Sequence, residues 1–224
     1  MFSLLTGCWL GFLIGLRHAL DADHLAAIST LVIEQPRPRR AALLGAFWGL
    51  GHSASLIAAG AVLLALRIQL AGPWAERFEL AVAVMLIALG ARSIRLSLRS
   101  SGGEVAHAHG PLFHRHAAAE EHFHLRSATI ARRPFLIGVV HGLAGTGGIT
   151  ALAMASMPGP AAALAYVAVF AIGSIAGMSL LTGLAGFPIG RLAQRPRTHK
   201  VLIGGVGTLS VVVGLIWGAR VLYG

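Results

Sequence analysis

Residues 12–18 read Phe-Leu-Ile-Gly-Leu-Arg-His, and residues 135–141 read Phe-Leu-Ile-Gly-Val-Val-His. The same tetrapeptide, with a histidine three positions after it, therefore occurs twice, about 123 residues apart. Two weaker matches follow in the same order: Phe47 and residues 55–56 with Phe170 and residues 179–180, then residues 87–92 with residues 215–220. Three matches in one order predict that the chain consists of two related halves.

The composition is that of a membrane protein. Of the 224 residues, 56% are hydrophobic and 12% are charged, with a mean hydropathy of +0.75, whereas a soluble domain carries about 25% charged residues. A helix needs about 20 mostly apolar residues to cross a bilayer. Six apolar segments cover most of the chain: residues 2–33, 41–66, 80–96, 134–157, 161–189 and 201–223. We therefore predict an all-α, polytopic integral membrane protein with about six transmembrane helices.

Each half of the repeat holds three predicted spans. Because an odd number of crossings reverses the chain direction, we expect a 3+3 inverted repeat, an architecture of transporters whose site lies near the membrane midplane between the halves. The expected division is residues 1–100 for the first three-helix half, 101–130 for a connecting loop and 131–224 for the second half.

Basic residues indicate the orientation, because arginine and lysine concentrate in cytoplasmic loops. Three lie in residues 34–40, seven in 92–133 and four in 191–200, whereas the alternate connections and the last segment hold three together. We predict a multi-pass protein of the cell membrane (inner or plasma membrane), with both termini outside and loop 101–130 in the cytoplasm.

Several classes of function are excluded by the same composition. The net charge of +10 does not indicate nucleic-acid binding, because nearly all the arginines lie between or beside apolar segments. The single cysteine, Cys8, excludes a disulfide framework, a Cys-x-x-Cys relay and a thiolate metal cluster. A water-soluble enzyme is excluded as well, because the six segments leave no room for a separate soluble domain.

Five ionisable residues lie within one apolar stretch, residues 16–25, which reads Leu-Arg-His-Ala-Leu-Asp-Ala-Asp-His-Leu. A charged side chain at mid-membrane costs about 2.5–3.5 kcal/mol, so such a cluster indicates a function. Arg17 and Asp21 are four positions apart and are expected to form a structural ion pair on one helix face. The other three residues are left without a local partner.

Two imidazoles and a carboxylate, His18, His24 and Asp23, are a ligand set for a divalent first-row metal. On a regular helix Asp23 points away from the two histidines, which are about 9 Å apart along the axis. Either the helix unwinds here or another helix supplies ligands. A break or strong tilt is expected, because segment 2–33 is long for one straight span. His52, in the second segment, is the expected additional ligand, since intramembrane ionisable residues are functional by default.

Two further residues are candidates for a secondary cavity, Asp21 and His141. His141 is the repeat counterpart of His18 but has no acidic neighbours. We expect it to line the same cavity from the second half of the chain.

Residues 17–24 read Arg-His-Ala-Leu-Asp-Ala-Asp-His and resemble the signature of the nickel/cobalt transporter family, Arg-His-Ala-x-Asp-Ala-Asp-His. The family's second motif, Leu-Gly-His-Ser, resembles residues 50–53. The resemblance implies that His18, Asp23 and His24 contact a transported nickel or cobalt ion. The family's usual eight spans and its later Asp-Thr-Ala-Thr-Glu motif are not found in this sequence, which is more similar to the short, urease-accessory-type branch of the superfamily.

Residues 101–130 are rich in histidine and form the predicted cytoplasmic loop. Their three His-x-His pairs are His107 with His109, His114 with His116 and His122 with His124. Histidine-rich tracts commonly bind metal, so the loop is expected to buffer or hand over ions. Its ligands would be interchangeable, so no single histidine is expected to be essential.

These features together predict a secondary transporter, not an enzyme, that takes up Ni²⁺ or Co²⁺ through a His/Asp site at the midplane. Efflux by proton antiport is an alternative, because the same histidines could carry protons. An integral-membrane acyltransferase is an alternative from another class, because His18-x4-Asp23 has the spacing of a catalytic His/Asp pair. We expect no cofactor and no nucleic acid. The expected partners are the metal ion, the lipid bilayer and, as a candidate, a cytoplasmic metallochaperone.

Overall fold

The structure is a computed structural model that describes residues 2–34, 37–66, 68, 72–99, 127–192 and 196–223. The elements within these ranges are seven helices: α1 (Phe2–His18), α2 (Ala22–Glu34), α3 (Pro38–Leu66), α4 (Pro73–Arg99), α5 (Ser127–Ser156), α6 (Pro160–Leu192) and α7 (Pro196–Tyr223). The predicted all-α class is confirmed.

The first apolar segment is two helices rather than one. α1 ends at His18 and α2 begins at Ala22. In the turn between them, the N–H of Leu20 donates to the carbonyl of Arg17 at 2.8 Å, and the N–H of Asp21 donates to that of His18 at 3.1 Å. These bonds span three residues instead of the four of an α-helix, which tightens and ends α1. The expected break is therefore present, and it lies among the ionisable residues.

Four of the described helices, α3, α4, α6 and α7, are long and apolar enough to cross a membrane, and Ala22–Ile33 is a shorter apolar helix. Large apolar side chains on their outer faces are exposed, such as Val84 at 59%, Leu180 at 57% and Leu215 at 57%. A helix satisfies its own backbone hydrogen bonds, which is the condition for crossing hydrocarbon. The chain is a multi-pass membrane protein, while the six spans in an inverted repeat stay a prediction.

α3 lies centrally, with α5 and α6 packed against it, while α1 packs on α6 and α4 packs on α7. A Cβ on Gly15 of α1 would overlap the carbonyl oxygen of Phe170 in α6, and one on Gly138 of α5 would overlap that of Trp48 in α3. Such close approach through small residues is typical of helix pairs in membranes. The α1–α6 and α5–α3 contacts are therefore similar. In each of them, the glycine of a Phe-Leu-Ile-Gly tetrapeptide lies against the carbonyl of an aromatic residue that is distant in the sequence.

The ends of α2, α4 and α6 lie close to the starts of α3 and α7. A Cβ on Gly186, near the end of α6, would contact the first residue of α3. The hydroxyl of Ser97 in α4 donates to the carbonyl of Lys200 in α7 at 2.9 Å. Nε2 of His199 in α7 lies 3.5 Å from the carbonyl oxygen of Ile33 in α2. These helix ends therefore lie on the same side of the helix arrangement, and their placement in the cytoplasm stays a prediction.

Two buried apolar clusters contact the residues around the α1–α2 break. The larger one draws on α2, α3 and α4 and includes Trp48, whereas the other draws mainly on α3 and α6 and includes Phe170. The ring of His24 packs on Trp48 and the ring of His18 packs on Phe170. The polar residues of the break are therefore held between two packed apolar regions.

Candidate metal centre

Four histidines from four helices meet beside the α1–α2 break. The ring centroid of His24 in α2 is 4.4 Å from that of His18 in α1 and 4.2 Å from that of His141 in α5. His52 in α3 completes the group, 5.4 Å from His24. The exposed fractions are 1% for His24, 0% for His52 and 2% for His141. Residues from distant parts of the sequence thus form one buried polar cluster.

The first donor set consists of His18, His24 and His52, in which one ring nitrogen of each lies within 4.8 Å of the other two. Nε2 of His18, Nε2 of His24 and both ring nitrogens of His52 are buried without a hydrogen-bond partner from the described chain. Because buried polar atoms are normally paired, neighbouring orphan nitrogens indicate a ligand from outside the chain. Three imidazoles suit a divalent transition metal such as Ni²⁺ or Co²⁺.

Carboxylates determine which ring nitrogen of His18 and of His24 is available to bind a metal ion. Nδ1 of His18 lies 2.7 Å from Oδ2 of Asp21, and Nδ1 of His24 lies 3.1 Å from Oδ1 of Asp23. An ionised carboxylate only accepts, so each Nδ1–H donates and each Nε2 keeps its lone pair. Metal-binding histidines commonly carry such a partner on the other nitrogen, which sets the tautomer and orients the ring. Both rings are therefore prepared to bind through Nε2.

The second donor set consists of Asp23, His24 and His141, with donor atoms again within 4.8 Å of one another. Oδ2 of Asp23 accepts a hydrogen bond from Nε2–H of His141 at 2.7 Å, and Oδ1 accepts from the backbone N–H of His24 at 2.9 Å. Both carboxylate oxygens are thus engaged. The four residues expected to hold one ion are divided between two adjoining sets that share His24.

The start of α2 positions the carboxylate of Asp23. This residue is the second of the helix, where the positive end of the helix dipole favours a negative side chain. The N–H of Leu25 donates to the carbonyl of Asp21 at 2.9 Å, which begins the helical hydrogen bonds of α2. Because α1 has already ended at His18, Asp23 can bond to α5 while His18 keeps its place in α1. One continuous helix does not allow this arrangement.

The structure places Asp21 against His18 and not against Arg17. Asp21 and His18 form the 2.7 Å contact, and the Asp21 side chain is 53% exposed. The expected Arg17–Asp21 pair assumes a spacing of four along one helix, but α1 ends between the two residues, so they no longer share a face. Arg17 itself is exposed. Asp21 therefore lies at the exposed edge of the first donor set, whereas His141 lies in the second.

Two aromatic rings that sequence reasoning did not assign to the site enclose the cluster. The ring centroid of Phe170 is 5.4 Å from that of His18, and the ring centroid of Trp48 is 5.7 Å from that of His141. Both aromatic side chains are fully buried. The available signals were the match of Phe170 within the repeat and the position of Trp48 four residues before His52.

The remaining candidates belong to the predicted cytoplasmic loop. His107, His109, His114, His116, His122 and His124 lie outside the described residues. Their contact with metal stays a prediction.

Comparison with known proteins indicates the family to which the chain is related. The family model NicO, described as a high-affinity nickel-transport protein, matches residues 4–192, a range that contains both donor sets. The chain is 30% identical over 215 residues to the urease accessory protein UreH of Bacillus sp. (strain TB-90), covering 96% of this chain and 90% of that protein.

Two plant proteins are also similar, and both come from Arabidopsis thaliana. The chain is 28% identical over 220 residues to Chloroplast protein FOR GROWTH AND FERTILITY 2, covering 95% of this chain and 56% of that protein. It is 29% identical over 218 residues to Chloroplast protein FOR GROWTH AND FERTILITY 1, covering 94% of this chain and 58% of that protein. The chain thus spans little more than half of each plant relative. No solved structure matches it.

Proposed function

The chain belongs to the NicO family of high-affinity nickel-transport proteins, and from this premise we propose that it imports Ni²⁺ through the buried histidine cluster. It is a membrane transporter for divalent metal ions of the nickel/cobalt class, and the metal is its substrate rather than a cofactor. The observation that supports the location of the site is the first donor set, whose orphan ring nitrogens are buried between apolar helices.

The proposed binding geometry uses His18, His24 and His52 as the direct ligands of the arriving ion. Asp21 and Asp23 hold the Nδ1–H groups of His18 and His24, so both rings offer Nε2 to the ion. Imidazole binds Ni²⁺ and Co²⁺ alike, and both ions are therefore substrates in this proposal. The carboxylates also reduce the positive charge that the ion brings into a buried site.

The proposed direction is inward. With the interior negative, a divalent cation gains about 4.6 kcal/mol per 100 mV on entry, twice the value for one charge, so uptake needs no further coupling. The end of the protein with the basic connections then faces the cytoplasm, and the termini lie outside. Loop 101–130 would receive the ion on the inner side and pass it to a cytoplasmic metallochaperone.

The acyltransferase alternative is not favoured by the geometry. It requires His18 to act as a base oriented by Asp23. Instead, Nδ1 of His18 is bonded to Asp21, and the two oxygens of Asp23 are occupied by His24 and His141. His18 and Asp23, which have the required spacing in sequence, are therefore not hydrogen-bonded to each other in the structure.

Cellular nickel and cobalt content tests the proposed function. Cells that express the wild type, the Asp23→Asn variant or an empty vector are grown at trace metal, and total metal is measured by mass spectrometry. Import predicts more nickel with the wild type only. Less nickel, with increased tolerance, would reverse the direction, and equal nickel in all three with protein present in the membrane would contradict transport.

A further inference from the structure

His24 is central to the histidine cluster, and its two neighbours belong to different halves of the chain. Its ring centroid is 4.4 Å from that of His18 and 4.2 Å from that of His141. A neutral imidazole has one N–H and one lone pair, so it can hold one ion at a time. His24 therefore serves either the first donor set or the second, but not both at once.

His18 and His141 occupy corresponding positions of the sequence repeat and have similar neighbours. Each histidine follows its Phe-Leu-Ile-Gly tetrapeptide by three positions. His18 packs on Phe170 and His141 packs on Trp48. The glycines of the same tetrapeptides lie against the carbonyls of these two aromatic residues. On each side of His24, a histidine is therefore held by one aromatic ring and one close helix contact.

The two frames differ in exposure. The His18 side chain is 16% exposed and its partner Asp21 is 53% exposed. The His141 side chain is 3% exposed and its partner Asp23 is 12% exposed. The first donor set is therefore closest to the surface at His18, beside the exposed Asp21. The second donor set includes a buried carboxylate, which attracts a cation.

We propose that the second donor set, Asp23, His24 and His141, is a second position for the transported ion, which moves there from the first donor set while His24 remains a ligand. This inference rests on the proposed transport function. His141 carries its proton on Nε2 in the described arrangement, and its Nδ1 has no partner from the described chain. Binding through Nε2 shifts that proton to Nδ1. His141 thereby exchanges one ring N–H for the other, so no proton is gained or lost.

The proposal predicts different effects for substitutions on the two sides of His24. Loss of His52 removes only the first position, whereas loss of His141 removes only the second. An ion that has bound at the first position of a His141 variant cannot advance. Such a variant therefore binds nickel but transports it much more slowly than the wild type.

The test compares His141→Gln with His52→Ala, using Ni²⁺ binding to purified protein and ⁶³Ni²⁺ uptake into proteoliposomes. Glutamine keeps an N–H that can donate to Asp23 but is a poor nickel ligand. For His141→Gln we expect an affinity within about threefold of the wild type and an uptake rate lower by about tenfold or more. Wild-type uptake by His141→Gln would overturn the inference, because His141 would then act only as a hydrogen-bond donor.

A second measurement does not depend on transport. His52→Ala should retain weak nickel binding at the second position, about 10–100-fold weaker than that of the wild type, and the added His141→Gln substitution should abolish it. Residual binding that is unchanged in the double variant would also overturn the inference. A wild type that neither binds nor transports nickel would instead contradict the proposed function. His199→Gln, at the end of the helix arrangement, is the matched histidine control.

Discussion

Asp23 in α2 and His141 in α5 are 118 positions apart in sequence, and their side chains meet at 2.7 Å. The bond joins the first half of the chain to the second beside the proposed ligands. Asp23 also orients His24 through the bond to its Nδ1. A change at Asp23 therefore acts on a ligand and on the contact between the halves.

The Asp23→Asn variant is expected to weaken nickel binding by about 10–100-fold, the usual effect of losing a carboxylate that orients a metal-binding histidine. An amide oxygen can still accept from His24, but the amide N–H₂ would face the N–H of His141, and two donors do not pair. Calorimetric titration of the purified variant with Ni²⁺ measures the effect. An affinity equal to that of the wild type would mean that Asp23 does not prepare the site.

The Asp21→Asn variant is expected to have a smaller effect, because the Asp21 side chain is 53% exposed and exposed charges are screened by water and salt. The concentration of nickel at half-maximal uptake should rise less than tenfold, with the maximal rate unchanged. Initial uptake rates over a series of nickel concentrations give both values. An effect as large as that of Asp23→Asn would show that the exposed carboxylate is a direct ligand.

The Gly51→Ala variant is expected to lose about 1–3 kcal/mol of stability by overpacking, because a Cβ there would overlap the carbonyl oxygen of Phe135 in α5. Gly205→Ala is the matched control, since a Cβ at Gly205 meets nothing within 4 Å. Thermal unfolding in detergent measures the difference. Equal melting temperatures of both variants would contradict the close α3–α5 contact.

The break and the clustering of His18, His24 and His52 could be predicted from the sequence, because ionisable residues are costly in an apolar segment and a regular helix cannot direct His18, Asp23 and His24 to one ion. The sequence left two possibilities, a break in the helix or a contribution from another helix, and the structure shows both. The helix ends at His18, and α3 supplies His52. The division of the residues into two sets was not predicted, because it depends on the direction in which α2 restarts.

The partner of Asp21 was predicted wrongly for a related reason. Sequence spacing assumes a continuous helix, whereas the turn at residues 19–21 brings Asp21 back onto His18. The enclosing rings of Trp48 and Phe170 were not assigned to the site either, because the repeat match of Phe170 and the spacing of Trp48 from His52 do not by themselves separate helix packing from site formation. Which aromatic rings enclose the cluster is decided by contacts between helices that are distant in the chain.

The loop histidines are expected to affect the number of nickel ions that the protein binds rather than the rate of uptake. Replacement of all six by alanine should reduce the number of nickel ions that the purified protein binds, while the initial uptake rate stays within about twofold of the wild type, since the ligands of a histidine-rich tract are interchangeable. Equilibrium dialysis with Ni²⁺ and uptake assays give the two numbers. Complete loss of uptake would place an essential step in the loop.

The most direct test of transport through the histidine cluster is voltage-driven uptake of ⁶³Ni²⁺. It compares proteoliposomes that contain the wild type, His24→Ala or His199→Gln. His24 belongs to both donor sets, whereas His199 lies near the end of α2, beside the carbonyl of Ile33. We predict uptake by the wild type and by His199→Gln when the interior is negative, and uptake by His24→Ala no greater than that of empty liposomes. Wild-type uptake by His24→Ala would contradict the claim that nickel passes through the histidine cluster.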